Sequence, residues 1–138
     1  MSKSLILDCS VTLSWCFSDE TTETSDRALD YVRRNEALVP QLWGLEVTNG
    51  LLQASRKKRI SSDGIFGFLE LFARLPIRAV PVSVADCFSG VLALAERHGL
   101  SAYDACYLHL AVREKSPLAT LDKPLQAAAK ELGLLWKP

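Results

Sequence analysis

Several features that would assign a chain at once are missing from this sequence. Its 138 residues carry sixteen Lys and Arg against sixteen Asp and Glu. This zero formal charge gives no electrostatic argument for a nucleic-acid binder, although a local basic patch is compatible with it. No apolar run reaches the length of a membrane span. The run Leu5-Ile6-Leu7 is too short for the core of a signal peptide, so we expect a cytoplasmic protein.

The cysteines also lack a spacing that would define a metal site or a disulfide framework. Cys9, Cys16, Cys87 and Cys106 include no CxxC pair and no zinc-finger pattern. Cys106 and His109 lie three residues apart and would share a helix face, but two ligands without a second pair make a poor metal site. The preferred interpretation is that the four thiols are free, reduced and buried.

Short apolar runs alternate with helical patterns along the whole chain. The predicted strands are residues 4–7, 37–39, 77–82 and 117–121, and residues 134–136 are a candidate fifth strand. The predicted helices cover residues 10–17, 23–34, 42–59, 61–75, 83–98, 101–115 and a segment after residue 122. This alternation predicts a three-layer α/β fold, a mostly parallel sheet flanked by helices. With no repeat or linker, we expect a single domain over residues 1–138.

Two acidic residues directly follow predicted strands. Asp8 ends the first strand and Asp122 ends the fourth. In open α/β sheets, ligands bind beyond the carboxyl ends of the strands. Each residue also has a purely structural explanation. Asp8 would help to cap the next helix, for which Ser10 is the predicted N-cap, and Asp122 would cap the last helix, where Pro124 fits the first turn.

Two further acids lie on mostly apolar helix stripes. Asp104 and Glu46 both come early in their helices, on the side that a helix normally buries. A carboxylate there must be paired, protonated or bound to a metal. The alternatives are a capping box of Ser101 with Asp104, and a favourable helix dipole for Glu46. An internal control exists, because Asp86 has the same spacing from a helix-starting serine.

The four acids can meet at one edge of a parallel sheet. They are Asp8, Glu46, Asp104 and Asp122. Two carboxylates ~5 Å apart repel by roughly 3 kcal/mol at an effective dielectric near 20, so such a cluster favours a bound cation. Oxygen ligands without a His or thiolate cluster favour Mg²⁺ or Mn²⁺ and predict phosphodiester hydrolysis. Ser10, Asn49 and Thr120 lie nearby in sequence and are candidates to orient ligands or water.

The order of four short stretches resembles that of PIN-domain proteins, most closely the VapC-type ribonuclease toxins of toxin–antitoxin pairs. The stretches are Leu7-Asp8-Cys9-Ser10-Val11, Pro40-Gln41-Leu42-Trp43 with Glu46-Val47-Thr48-Asn49, Leu100-Ser101-Ala102-Tyr103-Asp104-Ala105, and Leu118-Ala119-Thr120-Leu121-Asp122. The resemblance implies a parallel sheet flanked by helices and Mg²⁺-dependent cleavage of RNA by the four acids. It also implies a homodimer and inhibition by a small antitoxin protein. Cys9 departs from the pattern, in which a residue such as Ala or Thr is expected.

Other functions remain as alternatives. A catalytically silent PIN fold would bind RNA or protein without cutting. A phosphatase with Asp8 as nucleophile, as in haloacid-dehalogenase-like enzymes, would want a second Asp where Ser10 stands. A receiver domain would want adjacent acids at the end of the first strand, which this sequence lacks.

Three further expectations concern packing and surface. The helix over residues 61–75 is apolar on more than one face, so some of its large residues should contact another chain; they are Phe66, Phe68, Leu69 and Phe72. The run Arg56-Lys57-Lys58-Arg59 would either bind phosphates or complement a helix dipole, and we favour the dipole. Cys9 is expected to be structural and reduced.

Overall fold

A four-stranded parallel sheet forms the centre of the protein, which is described by a computed structural model over residues 4–138. The strands are β1 (Leu5–Leu7), β2 (Ala37–Pro40), β3 (Ile77–Val80) and β4 (Leu118–Ala119). Their order across the sheet is β3-β2-β1-β4, and every pairing is parallel. The sheet and the helices on its two faces confirm the predicted three-layer α/β fold. Strand β3 lies at an edge, and Pro81 follows it, as a strand-ending proline predicts.

The candidate fifth strand is reduced to one bridging residue. Leu135 pairs with Leu118 in a parallel bridge. The Leu118 N–H donates to the Leu134 carbonyl at 2.7 Å, and the Trp136 N–H donates to the Leu118 carbonyl at 2.9 Å. Strand β4 has only two residues, so it offers a partner strand little length along which to pair.

The helices lie where the periodicity predicts them, with small shifts at their ends. They are α1 (Cys9–Ser14), α2 (Glu23–Val32), α3 (Leu42–Arg56), α4 (Ser62–Arg74), α5 (Val84–Asp86), α6 (Leu92–His98), α7 (Ala102–Glu114) and α8 (Lys123–Glu131). A π-helical turn over Cys87–Val91 joins α5 to α6, so the predicted helix over 83–98 is continuous but locally widened. In that turn a Cβ on Gly90 would lie 2.7 Å from His109 Nδ1, so only glycine lets this backbone approach α7 so closely.

Strand β1 is buried from both sides, as a continuous apolar run predicts for a parallel sheet. Leu5 and Leu7 pack in one cluster with residues of α1 and α2, whereas Ile6 packs in another with α7 and α8. A third cluster joins α3 and α4 around Val47 and Phe72. Two of these clusters enclose β1 from opposite faces of the sheet, and the residue that follows β1 is Asp8.

The residues of the basic run at the end of α3 have different roles. Arg56 lies in the last turn, where it complements the helix dipole. Lys58 adopts a left-handed conformation with φ of 60°. The Arg59 guanidinium contacts the carboxylates of Asp19 at 2.9 Å and Glu20 at 2.8 Å.

Two remaining sequence expectations are answered directly by the described residues. All four cysteines are unpaired. The prediction that they are buried is correct for Cys106 and wrong for Cys9, Cys16 and Cys87, which are half-buried. Within residues 4–138, no helix is both long enough and apolar enough to span a bilayer.

Candidate active site

Asp8 lies at the carboxyl end of the central strand and is almost fully buried. Its Oδ2 accepts two hydrogen bonds, from Ser10 Oγ at 2.7 Å and from Thr120 Oγ1 at 2.7 Å. The prediction that Ser10 is the N-cap is wrong: α1 begins at Cys9, and Asp8 holds the N-cap position without a side-chain capping bond. The Ser10 hydroxyl is used instead to hold the Asp8 carboxylate.

The end of β4 brings Thr120 and Asp122 to the same place. Thr120 Oγ1 also accepts from the Asp122 N–H at 3.1 Å, and Ser10 Oγ accepts from the Leu121 N–H at 3.0 Å. Asp122 is the N-cap of α8, with Oδ2 accepting from the Leu125 N–H at 3.1 Å. The capping interpretation of Asp122 is therefore correct, but this bond uses only one of its two carboxylate oxygens.

Glu46 reaches the site from the second turn of α3. Its Oε1 accepts a hydrogen bond of 2.7 Å from the hydroxyl of Tyr107, a fully buried residue of α7. The Cys9 sulfur also lies near the Glu46 carboxylate, within 4.8 Å of one of its oxygens. Helices α1 and α3 can pack closely here because Gly50 has no side chain. A Cβ at this position would lie 2.6 Å from Leu13 Cδ1. This close packing keeps Cys9 against Glu46.

Asp104 approaches from the first turn of α7. Its backbone N–H donates to Ser101 Oγ at 3.1 Å, and Asp86 makes the same contact with Ser83 Oγ at 3.1 Å. The two serines are thus equivalent caps, as their spacing predicts. The two acids differ in their surroundings, because the Asp86 carboxylate lies 3.5 Å from the Arg113 guanidinium, whereas Asp104 faces other carboxylates.

The charges of the four acids influence one another, although the group of ligand atoms that lie within 4.8 Å of one another includes only Asp8 and Glu46 of the four. Burial raises the pKa of Asp8, and the charge of Asp122 raises it further, against the lowering effect of its hydroxyl partners. Burial also raises the pKa of Glu46, with added repulsion from Asp8 and Asp104. The pKa of Asp104 is raised by burial first, then by the charges of Asp122 and Asp8. Asp8, Asp104 and Asp122 therefore each make the ionised form of at least one neighbouring carboxylate more costly.

This donor set fits a hard divalent cation. Among the ion pairs formed by residues 4–138, none involves any of the four acids, so their charge is not balanced by Lys, Arg or His. Ligand atoms of Asp8, Cys9 and Glu46 all lie within 4.8 Å of one another, the one such group of three within the described residues. Crowded, uncompensated carboxylate oxygens are ligands that Mg²⁺ and Mn²⁺ prefer.

The chain matches a known protein family over most of its length. The family model described as PIN domain matches residues 5–131. The chain belongs to the PIN-domain family. It is also 30% identical over 125 residues to a protein named Ribonuclease VapC3 from Pyrobaculum aerophilum, an alignment that covers 88% of this chain and 91% of the relative. The predicted resemblance to VapC-type PIN-domain proteins is thereby confirmed.

Two residues of this PIN domain contact the acids but are not among the predicted site residues. The sequence pattern places Tyr107 only on a buried helix stripe, although a buried tyrosine hydroxyl needs a hydrogen-bond partner. Cys9 is predicted to be structural, although it is adjacent to Asp8. Asn49, by contrast, is exposed on α3 and makes no hydrogen bond with the four acids within residues 4–138, so its role in orienting ligands stays a prediction.

Proposed function

We propose that this PIN-domain protein is a metal-dependent endoribonuclease that hydrolyses RNA phosphodiester bonds and acts as the toxin of a toxin–antitoxin pair. The observation that carries the proposal is the group of ligand atoms from Asp8, Cys9 and Glu46. The nearby charges of Asp104 and Asp122 act on it, and no ion pair within the described residues balances the four acids. The relative named as a ribonuclease supports the substrate class. RNA as substrate is also in keeping with action in the cytoplasm.

The chain's own residues prepare the site before any cation binds. Ser10 and Thr120 fix Asp8 Oδ2, Tyr107 fixes Glu46 Oε1, and the cap of α8 fixes Asp122. These neutral donors orient the carboxylates without cancelling their negative charge. The four acids are the residues that would hold Mg²⁺, or Mn²⁺ as a substitute. When bound, such an ion supplies an activated water and stabilises negative charge on the leaving oxygen.

The direct test is cleavage of total cellular RNA by the purified protein. We expect cutting with Mg²⁺ or Mn²⁺, none with EDTA, and recovery when Mg²⁺ is added in excess. Sequencing of the new RNA ends after brief induction in cells would then locate the cleavage sites. Binding of RNA without cleavage under any metal condition would contradict the enzyme and favour a catalytically silent PIN fold.

The antitoxin is proposed to dock on the surface that α3 and α4 share. An apolar groove of ≈ 80 Å³ lies between them and is lined by Thr48, Leu51, Leu52, Ile65 and Leu69. Phe66 is 64% exposed and Leu69 46% exposed, whereas Phe68 is half-buried and Phe72 packs against tryptophan rings inside its own chain. Phe72 is therefore part of the core rather than a free contact residue.

A second apolar surface supports the proposed homodimer. Val84, Phe88 and Leu92 recur every four residues along the continuous helix formed by α5 and α6, and all three are exposed. We expect Phe88→Asp to convert a dimer to a monomer in size-exclusion chromatography with light scattering. Ala127→Asp, at an exposed position of α8, should leave the dimer intact. A monomeric native protein would contradict the proposal.

A further inference from the structure

Cys9 places a sulfur atom among the oxygen ligands of the acidic site. Its Sγ and carboxylate oxygens of Asp8 and Glu46 all lie within 4.8 Å of one another. The backbone fixes this arrangement, because Cys9 is the first residue of α1 and directly follows Asp8. Glu46 meets it across the close packing of α1 on α3 at Gly50. The sulfur thus belongs to the site rather than to its surroundings.

The second thiol near the same helix is in a different environment. Cys16 is also half-buried, but its thiol donates to the Thr12 carbonyl at 3.7 Å, and it is not part of the ligand group. A half-buried thiol beside α1 therefore does not by itself produce a metal-ligand arrangement. Cys16 provides a matched control for Cys9.

We propose that Cys9, Asp8 and Glu46 together bind thiophilic divalent cations such as Zn²⁺, which compete with Mg²⁺ for the acidic site. This inference rests on the proposed function, since it concerns the ion held by the same acids. Mg²⁺ takes oxygen ligands, whereas Zn²⁺ and Co²⁺ also accept thiolate sulfur. Two carboxylates and one sulfur supply three ligands, which leaves a fourth position for water.

Replacement of Mg²⁺ by Zn²⁺ at this site is a ligand substitution without oxidation or reduction. A bond forms between Cys9 Sγ and the cation, and the thiol proton passes to solvent. In tetrahedral coordination, oxygen and sulfur atoms bound to one zinc ion lie about 3.3–3.7 Å apart. The ligand atoms lie up to 4.8 Å apart, so side-chain rotation would have to bring them closer by about 1 Å. A cation that gains the sulfur bond is retained more tightly than one that does not, so Zn²⁺ should displace Mg²⁺.

The test uses Co²⁺ added to the purified full chain, because a cobalt–thiolate bond gives a charge-transfer absorption band in the near ultraviolet. We expect the band in the native protein and in Cys16→Ala, and its loss in Cys9→Ala and Cys9→Ser. Zn²⁺ affinity, measured by calorimetry, should fall by about tenfold or more in Cys9→Ala. Mn²⁺ affinity, measured by electron paramagnetic resonance, should change much less. Circular dichroism checks that each variant is folded.

The possible results distinguish a sulfur ligand at the metal site from the proposed ribonuclease activity. Co²⁺ binding without the band in the native protein, or a band that survives in folded Cys9→Ser, would overturn the sulfur ligand while leaving the ribonuclease proposal intact. A cobalt–thiolate band in a protein that cuts no RNA would support the sulfur ligand and contradict the ribonuclease. A native protein that binds neither Co²⁺ nor Mn²⁺ would contradict both.

Discussion

The Asp8 side chain illustrates how a carboxylate is held in place without being neutralised. Its two hydroxyl donors come from residues 2 and 112 positions away in sequence. Hydroxyl groups direct an oxygen atom as well as an arginine would, but they leave the negative charge in place. The site is therefore ordered and still short of positive charge, which is the condition for binding a cation.

The paired acids Asp104 and Asp86 give a direct test of residue function. Both follow an equivalent serine cap, so a capping role predicts similar effects of substitution. If Asp104 is a metal ligand, Asp104→Asn abolishes metal-dependent RNA cleavage. Asp86→Asn should keep activity and lose about 0.5–1 kcal/mol of unfolding free energy, since its ion pair and its place at a helix N-terminus are both near the surface. Cleavage assays with and without EDTA, alongside thermal melts, measure both effects.

One result would contradict the assignment of Asp104 as a metal ligand. An Asp104→Asn protein that cuts RNA at nearly the native rate would exclude Asp104 as a metal ligand. Asp8→Asn, Glu46→Gln and Asp122→Asn should lose cleavage in the same way, although Asp122→Asn also alters the N-cap of α8.

The raised pKa values of the site predict how stability depends on pH. Asp8, Glu46 and Asp104 hold their protons more tightly in the folded than in the unfolded protein. Their contribution to folding is fully present below the ordinary carboxyl pKa and is lost as the pH rises through the raised values. In metal-free protein, Asp104→Asn should therefore have a higher Tm than the native chain at pH 7, and the difference should shrink as the pH falls toward about 4. A Tm difference that grows on acidification would contradict the assigned repulsion.

Tyr107 is predicted to position Glu46 rather than to contact the reacting atoms. Tyr107→Phe keeps the buried ring but removes the hydrogen bond to Glu46 Oε1. Loss of such an outer partner typically costs about 10–100-fold in metal affinity or activity. Mn²⁺ affinity should fall within that range, while a purely structural role would lower Tm and leave the affinity of the folded protein unchanged.

At the residue scale, the sequence predicts where the acids lie in the fold better than it predicts their hydrogen-bond partners. Asp8 and Asp122 are predictable because each acid directly follows a buried strand, and parallel strands end at a common edge. Ser10 is misassigned because a serine two residues after a strand has the chemistry of an N-cap, whereas its partner Thr120 is 110 residues away. The Tyr107–Glu46 bond likewise joins residues 61 positions apart in sequence, which local periodicity does not encode.

At the scale of elements, the helix from Val84 to His98 departs most from its sequence pattern. Its apolar spacing predicts a regular helix, but the π-helical turn widens it beside α7. Within that turn, Gly90 lies against the His109 ring of α7. Nothing in the spacing of residues 83–98 reveals this tertiary contact.

The same substitution at two glycines should have opposite effects on stability. Gly90→Ala should destabilise the protein by about 1–3 kcal/mol, because the new methyl group would meet His109 ring atoms at 2.7–2.8 Å. Gly67→Ala lies inside α4, where the added methyl group would meet no described neighbour within 4 Å. This change should stabilise the protein by about 0.5–1 kcal/mol. Urea unfolding of the two variants measures both changes in unfolding free energy. Equal effects would show that the His109 ring makes room for the new methyl group at no cost in free energy.

At the scale of the whole molecule, the fold class follows from the alternation of strands and helices, while the sheet order does not. A parallel sheet could place its strands in several orders with the same sequence pattern. The observed order puts β1 in the middle, between β2 and β4. That order brings the residues after β1 and β4 together, and it requires the first and last strands of the sheet to be neighbours.

The position of β1 has a consequence for the time at which a newly made chain completes its acidic site. Asp8 is synthesised well before Thr120, which holds it and follows 112 residues later. At about 5–20 residues per second, that interval lasts roughly 6–22 s. Throughout it the nascent chain has neither β4 nor Asp122, so its acidic site is incomplete. Assembly of the acidic site therefore waits for the synthesis of β4 and Asp122.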